Sequence, residues 1–84
     1  MYNYEEEKPN IFKEENQKDF LFVRDNVHKL LSKQKYVEMS EAIHGAGSRS
    51  WLLMAYVDRL RELGEIVEIT QAGSCAGQDR VFRK

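Results

Sequence analysis

Residues 40–64 read SEAIHGAGSRSWLLMAYVDRLRELG, and this segment constrains the fold more than any other part of the chain. Met39, Ala42 and Ile43 stand at helical spacing. Gly45 and Gly47 follow, positions that can take positive φ angles and so stop a helix and turn the backbone. A longer helix is then predicted, because Ser48 and Ser50 can cap its start and Gly64 can end it. Leu53, Tyr56, Val57, Leu60 and Leu63 form its inward face. The middle of the molecule is therefore expected to be a short helix, a tight turn and a long helix.

The flanks extend this pattern. From about Asn16, the residues Phe20, Val23, Val27, Leu30 and Leu31 recur at spacings of three and four, the stripe of an amphipathic helix. Asn16 or Asp19 can cap its start, Lys29 and Lys33 suit its negative end, and Tyr36 with Val37 supplies a very short extended piece. Beyond Gly64 the period changes to the alternation of EIVEIT, whose β-branched residues predict a strand between Ile66 and Ile69. The glycine-bearing QAGSCAGQ reads as a flexible tip. DRVFRK resumes the alternation, with Val81 expected inward and Arg80 and Phe82 on the opposite face.

Eighty-four residues suffice for one core and no second domain. The apolar and charged shares, 42% and 32%, are those of a folded chain. Charge is unevenly spread: residues 1–19 carry six acids against three lysines, whereas residues 20–84 carry ten bases against eight acids. Residues 1–15, with the only proline and the run Glu5, Glu6, Glu7, are expected to form an acidic mobile arm, and residues 16–84 the folded domain. Tyr2, Tyr4, Ile11 and Phe12 give that arm apolar groups that could meet the domain or a second subunit. The single cysteine, Cys75, can make no internal disulfide, and the N-terminus lacks both the basic start and the apolar run of a signal peptide. A cytoplasmic protein with no membrane segment is expected. His28 and His44 have no ligand-spaced companions, so neither a metal nor a cofactor is expected. No nucleophile, base and orienting group can be assembled, which argues against an enzyme.

Three helices followed by a hairpin, with a glycine turn between the second and third helices, predict an α+β fold of winged helix-turn-helix type, the C-terminal β-hairpin being the wing. Over residues 20–84 the chain resembles that superfamily. Within it, SEAIHGAGSRSWLLMAYVDRLRELGEI is similar to regulators of the MarR-like type, through Val57, Asp58, Arg59, Leu60, Gly64 and Ile66, with Asp79 and Arg80 where the returning wing strand starts. The resemblance implies a DNA-binding transcription regulator, a dimer on double-stranded DNA. Its third helix would present Arg49, Ser50, Trp51, Met54, Ala55 and Asp58 to the major groove, and its wing Arg80, Arg83 and Lys84 to phosphates.

That outward face is unusual in chemistry. Base edges are donors and acceptors, and only Arg49 and Ser50 match them, whereas Trp51, Met54 and Ala55 suit an apolar partner. The alternative expectation is therefore a protein-interaction or dimerisation module that uses Trp51 and Met54 as its contact surface. Lys29, Lys33 and Lys35 read as helix-end charges, Arg59 and Arg61 as partners of neighbouring acids, and Cys75 and both histidines as passive.

Overall fold

The computed structural model describes residues 1–71 and 77–84. Cys75 and most of the QAGSCAGQ tip lie outside the described residues. The elements in chain order are α1 (Tyr4–Ile11), α2 (Gln17–Lys33), β1 (Tyr36–Glu38), α3 (Met39–Ala42), α4 (Ser50–Glu62), β2 (Val67–Glu68) and β3 (Val81–Arg83). Short 3-10 turns over Glu14–Asn16 and Gly77–Asp79 precede α2 and β3. The result is a small α+β domain, helices packed with a three-stranded antiparallel sheet.

The predicted stripe forms α2, with Val23 and Val27 fully buried and Phe20, Leu30 and Leu31 packed at the margin of the core. Asn16 stands before it without capping it. Its side-chain amide instead donates to the carbonyl of Asn10 at 2.7 Å, tying the incoming turn to α1. α3 is short, as its glycines require. Its start is held by the Glu41 carboxylate, which accepts the Glu38 backbone N–H at 3.1 Å, and Gly45 then turns the chain at φ +85°. Gly64 stops α4 in the same way, at φ +79°. Neither serine caps α4. Arg49 occupies the cap position, and Ser48 donates instead to Asp19 on α2, which pins the α3–α4 turn to that helix.

Two expectations about sides are reversed. Leu63, expected inside, is 49% exposed, because it follows the last turn of α4 as the chain bends away. In β3 the alternation holds but its faces are exchanged: Phe82 is fully buried and Val81 only partly. The sheet order β1-β3-β2 explains this. The middle strand pairs Phe82 with Val37 on β1, and two buried side chains on one cross-strand pair set the inner face. Arg80, two residues earlier, therefore points the same way as Phe82, toward the core, with its guanidinium 5.3 Å from the centre of the Phe82 ring.

Residues 4–11 form a helix, not a detached arm. Asn3 caps it by accepting the backbone N–H groups of Glu5 and Glu6, and Pro9 is tolerated inside it. α1 lies along α4, burying Ile11 against the core. Tyr4 and Lys8 both reach Glu62 at 2.9 Å. With α1 on one side and the sheet and the other helices around the rest, α4 buries eight of its thirteen residues. It is the axle of the core.

Candidate functional site

Of the α4 residues expected to face a ligand, the structure leaves out only the N-terminal ones. Arg49 and Ser50 are exposed, and Trp51 is 44% exposed. Met54, Ala55 and Asp58 retain 6%, 0% and 2% of their surface. The expectation that Met54 and Ala55 form an outward reading or contact face is therefore wrong. α1 covers this side of the helix, and Gly77 seats against Met54: a Cβ at Gly77 would stand 2.6 Å from the Met54 methyl. Even Arg49 is drawn toward α1, 3.7 Å from the Glu7 carboxylate.

Arg80 is likewise misplaced by the expected wing contact. Its guanidinium binds the Asp58 carboxylate in a bidentate pair, at 3.1 and 2.7 Å, and the Glu68 carboxylate in a second, at 2.9 and 2.7 Å. Asp58 also accepts from the Tyr2 hydroxyl at 2.6 Å and from Arg61 at 3.1 Å. Burial pushes the Asp58 carboxyl up, but hydrogen bonds from Arg80 and Tyr2 and the Arg80 charge outweigh it and hold the group below the ordinary carboxylate range. Hydrogen bonds from Arg80 depress Glu68 too, and Glu68 with Asp58 raises Arg80 further. A guanidinium with both planar edges filled by carboxylates has no donor fork left for a phosphate. This cluster ties β2, β3, α4 and the N-terminal segment together. It is structural.

Arg83 and Lys84 behave differently. They line an open cleft of about 540 Å³ where the end of α2, the turn into β1 and the end of β3 meet, and Lys33, Gln34, Lys35 and Tyr36 complete it. Strand pairing sets Tyr36 directly opposite Arg83, with Val67 opposite Arg83 on its other side, so Tyr36, Arg83 and Val67 form one row on the open face of the sheet. Tyr36 and Val67 are 53% and 43% exposed. Among the described residues no ion pair engages Lys33, Lys35, Arg83 or Lys84. Among the described residues no acidic side chain lines the cleft. Glu41, which accepts from the Gln34 amide at 3.2 Å, is already engaged by that amide and by the start of α3.

Lys33, Lys35 and Tyr36 were missed by sequence reasoning as site residues. The run Lys33-Gln34-Lys35-Tyr36 does interleave cations with an aromatic ring, a readable signal. What the sequence does not supply is the β1–β3 pairing that brings this run beside Arg83-Lys84. Elsewhere several cations are paired: Arg59 with Glu62 and Arg61 with Asp58 on α4 itself, as expected, and Arg24 with Glu65, which the His28 ring also contacts at 2.7 Å. Among the described residues no group of His, Cys, Asp and Glu could hold a metal ion, and no helix is long and apolar enough to cross a membrane. No protein-family model, curated protein or solved structure is significantly similar to the chain.

Proposed function

We propose that the domain is a winged helix-turn-helix module that binds nucleic acid through its sugar-phosphate backbone, at the base of the hairpin. The succession α2, β1, α3, α4, β2, β3, with β3 central in the sheet, supports the winged reading. α4 then serves as a core helix and not as a groove-reading one, since α1 and Gly77 occupy the side it would present.

The observation that carries the proposal is a concentration of unpaired charge: four cations around one cleft have no acidic partner among the described residues, whereas Arg24, Arg59, Arg61 and Arg80 are all neutralised. Lys13, Lys18 and Lys29 also lack an ion pair among the described residues, but none of them lines the cleft. Unpaired surface cations concentrated in a concavity raise the local positive potential and attract a polyanion. Each phosphate neutralised releases condensed counterions, so affinity falls linearly with salt on a logarithmic scale, by about 0.7 per contact for single strands and about 0.9 for duplex. A salt titration of binding to oligonucleotides of arbitrary sequence is the test. A slope of roughly −2 to −3, reduced by about 1 on Arg83→Ala, supports the reading; salt-independent or absent binding removes it.

A second reading, a protein-interaction or dimerisation module, is favoured by Trp51, an indole left 44% exposed at the start of α4 beside the exposed Arg49. Trp and Arg are the residues on which interface energy most often concentrates. That reading predicts a mass in solution above 9.9 kDa that returns to the monomer value in Trp51→Ala.

A further inference from the structure

The geometry points to single-stranded nucleic acid as the ligand of the basic cleft, with phosphates on Lys33, Lys35, Arg83 and Lys84 and an unpaired base stacked on the Tyr36 ring. This inference rests on the backbone-binding reading above and narrows it.

Three observations separate a single strand from a duplex. First, Tyr36 stands on the open face of the sheet, 53% exposed, between Lys35 in sequence and Arg83 across the strand pair. A half-exposed phenol ring amid cations offers a flat π surface to a base, while the neighbouring ammonium and guanidinium groups meet the flanking phosphates. Second, duplex bases are stacked on one another and present only their edges, in grooves entered by a helix or ribbon. The long helix of this chain cannot enter one, because Met54, Ala55 and Asp58 are enclosed. Third, the cations sit on two sides of the ring: Lys33 and Lys35 arrive from the α2–β1 turn, Arg83 and Lys84 from the end of β3. A chain passing over Tyr36 would meet positive charge before and after it. Arg83 completes the platform, since among the described residues its guanidinium donates a single hydrogen bond, to the Lys84 main-chain oxygen at 3.1 Å, and can itself lie against a base.

The test uses the full chain and a short fluorescent oligothymidylate, compared with a mixed-sequence duplex of equal length, by anisotropy at low and at raised salt. The single strand is expected to bind at least tenfold tighter. Tyr36→Ala is expected to weaken it roughly 5- to 100-fold, as loss of one stacked base does, to leave duplex binding unchanged, and to leave the thermal midpoint near that of the parent. Tyr36→Phe, which keeps the ring and loses only the hydroxyl, is expected to restore single-strand affinity. Equal affinity for the two polymers, or a Tyr36→Ala variant that binds the oligothymidylate as the parent does, overturns the inference while the backbone reading stands. If neither polymer shows salt-dependent binding, the backbone reading falls and this inference with it.

Discussion

Arg80 shows how one side chain decides what a surface can do. It lies in a basic C-terminal run, DRVFRK, whose cations look alike in sequence, yet it alone turns inward, because Phe82 must and residues two apart share a face. Once inside it meets Asp58 and Glu68, and its charge becomes a condition of folding. Arg80→Met is therefore expected to cost up to about 3–5 kcal/mol, since it removes the bidentate cation from both Asp58 and Glu68 and leaves the buried Asp58 carboxylate only Arg61 and the Tyr2 hydroxyl. Arg83→Met is expected to stay within about 0.5 kcal/mol of the parent. Urea denaturation of the two variants separates them; equal stabilities would contradict the cluster as described. Asp58 and Glu68 are both held below the ordinary carboxylate range in the folded chain. Their contribution to stability is therefore fully present above the unfolded values, near pH 4, and is lost as pH falls through the depressed folded ones. An acid titration should show this loss in the parent and a shallower one in Arg80→Met.

At the scale of elements, the main departure from expectation is α1. Its acidity and proline read as an arm, and its mean hydropathy gives no reason to dock. What docks it is specific: Ile11 in the core, the Tyr2 hydroxyl on Asp58, and Tyr4 and Lys8 on Glu62. None of these pairings is visible without knowing that α4 runs alongside. The central stripes of α2 and α4, the glycine stops at Gly45 and Gly64 and the succession of elements from α2 onward were legible, because local spacing dictates them. The inner face of β3 and the free face of α4 were not, because each depends on which distant element arrives to cover it. Burial first, then the hydrogen bond to Glu62, pushes the Tyr4 hydroxyl up to about 12, and the Tyr2 hydroxyl is raised further by burial and Asp58. Both hold α1 only while protonated. The stability they confer is whole below about pH 10 and declines as pH rises through their folded values. Alkaline titration should accordingly loosen α1 before the rest of the domain, followed by protease cleavage within residues 4–11. The Tyr2→Phe, Tyr4→Phe double variant should lose that pH dependence and show a neutral-pH stability lowered by about 1–2 kcal/mol.

For the whole molecule, the net charge of −1 conceals a sorting of charges. Acids and bases that face each other across elements are spent on holding those elements together, and the surplus acids gather in residues 1–19. Of the cations left over, Lys33, Lys35, Arg83 and Lys84 gather where α2 ends and β3 ends, the cleft at the base of the hairpin, and Lys13, Lys18 and Lys29 lie outside it. Reversing Lys33 and Arg83 together, Lys33→Glu with Arg83→Glu, should therefore abolish measurable oligonucleotide binding while each change moves stability by no more than about 0.5 kcal/mol, as for exposed side chains without partners. The matched control is Lys13→Glu with Lys18→Glu, which makes the same change in net charge on exposed lysines that also lack an ion pair among the described residues but lie outside the cleft. If affinity followed net charge alone, the two double variants would bind equally weakly. If the cleft is the contact, the control keeps most of its affinity and its salt slope, because a surface charge more than about 10 Å from the bound phosphates is largely screened at moderate ionic strength.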